Sequence, residues 1–179
     1  MKFNPAIISG VFLIEIEPQS DERGFFARSW CREEFARHGL NAVLSQCSIS
    51  FNLRRGTLRG MHHQVAPHPE AKLVRCTAGA IYDVALDLRP DSGTFGRWQA
   101  FELNAANRHM VYVPEGVAHG FQTLADGSEV FYQISEPHYP ECARGVRWDD
   151  PAFNIAWPLP VSVLSEKDRS YPLLNHVPE

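Results

Sequence analysis

The feature that most constrains this chain is the recurrence of short β-prone runs between turn-forming residues. Val11–Ile16, Ser45–Phe51, Ala71–Cys76, Ile81–Leu88, Trp98–Leu103, His109–Val113, Gly120–Leu124 and Val130–Ile134 are bounded by Gly, Pro, Asn or Asp. With 13 Pro and 12 Gly in 179 residues, the chain is interrupted too often for long helices. Many short strands at this spacing pack as a β-sandwich or barrel. The run Tyr82–Leu88 has a period of two, which places Tyr82, Val84, Leu86 and Leu88 on one face and Asp83, Ala85 and Asp87 on the other. Helical patterning is confined to Cys31–His38, stopped by Gly39, and to Leu164–Arg169. The expectation is an all-β architecture with a few short helices, in one domain covering residues 1–179.

A chain of this length buries a full core without help from disulfides or a structural metal. Its four cysteines, Cys31, Cys47, Cys76 and Cys142, form no C-x-x-C pair and read as free thiols rather than zinc ligands. Lys and Arg number 17 against 21 Asp and Glu, and the net charge of −4 argues against general affinity for nucleic acid or anionic membranes. The apolar stretch Ala6 to Ile14 follows Lys2 but leads into Glu15-Ile16-Glu17-Pro18, which is no signal-peptide cleavage site. No run is long enough to span a bilayer, and a cytoplasmic location is expected.

Reactive residues concentrate in two places. The first reads Gly56-Thr57-Leu58-Arg59-Gly60-Met61-His62-His63-Gln64, followed by Glu70-Ala71-Lys72-Leu73-Val74-Arg75; the second reads Val113-Pro114-Glu115-Gly116-Val117-Ala118-His119-Gly120-Phe121. A paired His in one and Pro-x-Gly-x-x-His in the other suggest the two halves of a cupin jelly-roll, the double-stranded β-helix. Adjacent His62 and His63 point to opposite strand faces. A metal would therefore be offered His62, Gln64, Glu70 and His119, a poor set for a transition metal. Arg59 and His62 also have opposite parity on a regular strand, so both can face the interior only through a bulge near Gly60.

The order of these motifs resembles the dTDP-4-dehydrorhamnose 3,5-epimerase family of metal-free cupins. The likeness runs through Asp21-Glu22-Arg23-Gly24-Phe25-Phe26, Gly56-Thr57-Leu58-Arg59-Gly60-Met61-His62-His63-Gln64, Ala71-Lys72-Leu73-Val74-Arg75, Asp83–Arg89, Val113–Phe121, Val130-Phe131-Tyr132, Trp148-Asp149-Asp150-Pro151 and Leu164–Asp168. The resemblance implies a nucleotide-diphosphate-linked 4-keto-6-deoxyhexose as substrate, no cofactor, and a homodimer.

Epimerisation beside a ketone needs a base, a stabiliser for the enolate and an acid on the opposite face. Taken singly, His62 reads as a barrel-wall histidine, Asp168 as a solvated charge, Lys72 as an exposed strand lysine and Tyr132 as a core tyrosine. The resemblance turns these into the base, the carboxylate that orients it, the enolate stabiliser and the acid. It likewise makes Arg23 and Arg59 diphosphate ligands, Phe26 a stacking partner for the base, and Gln46, His119 and Lys167 further substrate contacts. Arg28, the segment Gln46-Cys47-Ser48-Ile49-Ser50 and Ala143 depart from the common family pattern around the nucleotide, leaving the base and sugar open. A single-carbon 3- or 5-epimerase would carry the same residues. A metal-dependent cupin oxygenase or isomerase and a non-catalytic sugar-binding cupin are the readings from other classes.

Overall fold

The structure is a computed structural model that describes residues 1–174. Its elements follow in the order β1 (Lys2–Pro5), β2 (Phe12–Glu15), β3 (Gln19–Asp21), β4 (Gly24–Phe26), α1 (Arg32–Arg37), β5 (Gln46–Asn52), β6 (Leu58–Gln64) and β7 (Lys72–Ala78). They continue with β8 (Ala80–Asp87), β9 (Trp98–Asn104), β10 (Met110–Val113), β11 (Val117–Thr123), β12 (Ser128–Ile134), β13 (Ala143–Gly145) and α2 (Glu166–Ser170). One antiparallel sheet has the order β1-β2-β10-β7-β12-β5, a second has β13-β6-β11-β8-β9, and β3 with β4 forms a separate hairpin. Between β5 and β13 the chain alternates from one sheet to the other, apart from the β8–β9 hairpin. That alternation is the winding of a jelly-roll.

The core between the sheets takes Val74, Cys76, Val111 and Val130 from the larger sheet and Ile81, Ala85, Leu103 and Phe121 from the smaller. The Tyr82–Leu88 alternation has a physical reason at both faces. Ala85 and Asp83 turn inward, Asp83 toward His119. Val84 and Leu86 turn outward, under Val146, Phe153, Ile155 and Trp157 of the segment that returns over the smaller sheet. Asp87 is also fully buried. Burial works to raise its pKa, but Arg89, Ser92 and Thr94 outweigh this with hydrogen bonds and hold it at about 2.

Strand β6 does not show among the β-prone runs, because a bulge interrupts its alternation. Its pairing with β11 shifts register between His119 and Phe121: His62 faces His119, whereas Arg59 faces Phe121. Two residues of β6, Gly60 and Met61, thus oppose Gly120 alone. Gly60 has φ of +128°, and a Cβ there would stand 2.5 Å from the Gly120 Cα, so only glycine fits. The expected bulge is present, and Arg59 and His62 both border the same cavity. The four cysteines are free thiols.

Candidate active site

A cavity of about 530 Å³ opens between the two sheets. It is lined by His62, Tyr132, Lys72 and Asp168, and also by Gln46, Arg59, His119 and Lys167. Five strands and one short helix bring together these residues, which are spread over more than a hundred positions. β6 and β11 supply His62 and His119 from the smaller sheet, while β7 and β12 supply Lys72 and Tyr132 from the larger.

His62 is half-buried, and its Nε2 lies 2.6 Å from Asp168 Oδ1. An ionised carboxylate can only accept, so Nε2 carries the proton and the free lone pair is on Nδ1. Asp168 is no solvated charge, being 4% exposed. Ser165 caps α2 by accepting the Asp168 N–H, and Asp168 Oδ2 accepts the Gly60 N–H at 3.3 Å. Burial works to raise the Asp168 pKa, but the hydrogen bond and charge of His62, with the Gly60 N–H, hold it below its ordinary value. The helix cap and the bulge therefore orient one imidazole together.

A second dyad stands beside the first. His119, the strand partner of His62, places Nε2 2.7 Å from Oδ2 of the fully buried Asp83. The His119 and Tyr132 rings meet edge to face, with centroids 5.9 Å apart. Burial pushes the Tyr132 phenol far above its ordinary pKa; the charge of Asp83 adds to the rise and that of Arg59 opposes it. Tyr132 is thus a phenol held in its protonated, donating form, partly packed against the core.

Lys72 is buried rather than exposed, and its Nζ lies 2.8 Å from Glu70 Oε1. Burial first, and then the charge of Lys72, lower the pKa of His63 to about 4, so His63 stays neutral at neutral pH. The potential metal donors are each engaged elsewhere: His62 with Asp168, Glu70 with Lys72, His119 with Asp83, and Gln64 with the backbone of His68, Pro137 and Tyr139. Among the described residues, no three His, Cys, Asp or Glu side chains converge as metal ligands.

Two expected ligands stand elsewhere. Arg23 and Phe26 lie on the β3–β4 hairpin and do not border the cavity. The Arg23 side chain is 84% exposed and pairs with Asp21, and Phe26 is 78% exposed. Arg28 pairs with Glu34 at 2.7 Å, away from the cavity, whereas Ser48 and Ala143 border it. His138 and Arg144 also line the cavity, though nothing in the sequence singles them out. His138 sits in a loop without periodicity, and Arg144 arrives only because β13 pairs with β6, opposite His63.

The sequence pattern of the dTDP-4-dehydrorhamnose 3,5-epimerase family matches residues 5–176. The chain is 41% identical over 179 residues to the dTDP-4-dehydrorhamnose 3,5-epimerase of Sinorhizobium fredii, covering 99% of this chain and 92% of that one. Its structure resembles the crystal structure of the Bacillus anthracis dTDP-4-dehydrorhamnose 3,5-epimerase with TDP and PPi bound, with a TM-score of 0.92, 38% identity and coverage of 97% and 99%. It also resembles the Legionella pneumophila dTDP-6-deoxy-D-glucose-3,5-epimerase in complex with dTDP-4-keto-L-rhamnose, with a TM-score of 0.90, 33% identity and coverage of 99% and 94%.

Proposed function

Since this chain belongs to the dTDP-4-dehydrorhamnose 3,5-epimerase family, an isomerase family, we propose how its residues carry the reaction. The substrate is a nucleotide-diphosphate-linked 4-keto-6-deoxyhexose of the dTDP-4-dehydro-6-deoxyglucose type, inverted at C3 and C5. The His62 lone pair removes the proton beside the ketone, and Asp168 steadies the imidazolium that forms. The Lys72 ammonium meets the developing charge on the C4 oxygen. Tyr132 then delivers its proton to the opposite face. Arg59, Gln46, His119 and Lys167 hold the diphosphate and the sugar.

One observation carries this reading: the oriented imidazole and the protonated phenol enter one cavity from opposite sheets, with the ammonium between the same walls. Carbanion chemistry of this kind needs no cofactor. Incubating the protein in heavy water with a panel of nucleotide-linked 4-keto sugars should show by NMR deuterium at C3 and C5 of the dTDP-linked substrate, with or without a chelator. Absence of exchange on every sugar would refute the reaction. Activity lost to the chelator and restored by one metal would refute its cofactor independence, and exchange at one carbon would make the chain a single-carbon epimerase.

The working form we propose is a homodimer of this one-domain chain. Arg23 and Phe26 stand exposed on their hairpin, away from the cavity of their own chain, where a second copy can receive them. The sheet-edge strand β5 presents Ile49 and Phe51, 63% and 53% exposed, beside unpaired backbone groups. Light scattering at micromolar concentration should therefore give about twice 20.2 kDa, and a mass of 20.2 kDa would contradict the dimer. No helix is long and apolar enough to cross a membrane among the described residues. A cytoplasmic enzyme without nucleic-acid partners is the reading that fits the charge and the substrate.

A further inference from the structure

We infer that Glu70 is a positioning residue that aims the Lys72 ammonium, an assignment that rests on the reaction proposed above. The cavity gives each of its basic side chains in the reaction centre a carboxylate: Asp168 for His62, Asp83 for His119 and Glu70 for Lys72. The third pair is close, at 2.8 Å, with the two side chains only 11% and 9% exposed. Lys72 Nζ also donates to the His62 carbonyl oxygen at 3.4 Å. An ammonium has three N–H donors. The ammonium is held by the charge of Glu70 and donates to the His62 carbonyl, which leaves N–H capacity to meet an oxygen in the cavity.

The backbone makes this arrangement rigid. The Ala71 N–H donates to Ser135 Oγ at 2.8 Å, and the Ser135 N–H donates to the Ala71 carbonyl at 3.0 Å. The segment between Glu70 and Lys72 is thus clamped to the end of β12, and residues two apart on extended chain share a face. A lysine stem is otherwise flexible, and its ammonium is a strongly hydrated point charge without the fork geometry of arginine. The neighbouring cavity cations Arg144 and Arg59 give Lys72 no acceptor. Without Glu70 the ammonium keeps its charge but loses its aim.

Glu70→Leu removes the carboxylate at similar volume, whereas Glu70→Gln keeps a polar Oε1 beside the ammonium without the charge. Glu70→Leu is expected to lower kcat by about 10- to 100-fold, short of the ~10²–10³-fold cost of deleting a stabilising donor outright. KM and the Kd for dTDP, which lacks the ketone, should stay within about threefold of wild type, and Glu70→Gln should recover most of kcat. Should Glu70→Leu fail to fold, Glu70→Asp, whose carboxylate is withdrawn by one methylene, should still show a lowered kcat at unchanged Kd for dTDP. Wild-type kcat in the folded Leu or Asp variant, or a loss that falls on KM and the dTDP Kd instead, would overturn the assignment. Lys72→Met run in parallel separates the two levels. A dead Lys72→Met beside an active Glu70→Leu rejects only the role of Glu70, while an active Lys72→Met rejects the reaction reading itself.

Discussion

His62→Ala in heavy water leaves the substrate protons at C3 and C5 in place: this is the expected result, with turnover reduced by about 10²–10⁴-fold. The reason is geometric. His62 is the cavity imidazole whose Nε2 proton is committed to Asp168, which leaves a lone pair on Nδ1. His119 has a carboxylate of its own but lies beside Tyr132, with the ring centroids 5.9 Å apart. His63 has a pKa lowered to about 4, chiefly by burial, and is a weak base at neutral pH. Neither replaces the missing imidazole. NMR of the recovered substrate reads the outcome directly, and wild-type exchange in His62→Ala would move the base to another side chain.

Tyr132→Phe is expected to fail differently. The ring stays, and with it the packing against the core and the edge-to-face contact with His119. Only the proton donor is lost. His62 still forms the enolate and can return deuterium to the face it left, so exchange proceeds with retained configuration while inversion falls by about 10²–10⁴-fold. The phenol of the native enzyme is kept protonated, because burial and the nearby charge of Asp83 both disfavour the phenolate. Normal inversion in Tyr132→Phe would leave Tyr132 as a packing residue and require another acid on the larger sheet.

The sequence discloses most where one residue type has one physical use. The Tyr82–Leu88 alternation, the Gly39 stop after α1 and the need for a bulge at Gly60 are all local requirements, and the structure meets each. What escapes the sequence is decided by partners far along the chain. Without the family likeness, Asp168 reads as a solvated charge; it is buried because α2 docks on the bulge and the Gly60 N–H meets its carboxylate. Glu70, considered only as a metal ligand, is instead the partner of Lys72. His138 and Arg144 enter the cavity through a loop and a three-residue strand with no period to detect. Arg23 and Phe26 illustrate the opposite limit, since motif matching names them without saying whose cavity they serve.

The dependence of His62 on Asp168 also sets the order in which the enzyme comes to life. The two residues are 106 positions apart, and everything needed to fold the sheets that bear His62 and Tyr132 precedes the helix that carries the carboxylate. At about 5–20 residues per second of synthesis, the imidazole exists for roughly 5 to 20 s before its orienting partner has been made. All the strands of both sheets are made by Gly145, so the sheets are complete in sequence before the carboxylate of the site is. On the proposed mechanism, the site for proton transfer is complete only when the turn from Ser165 to Ser170 reaches the bulge.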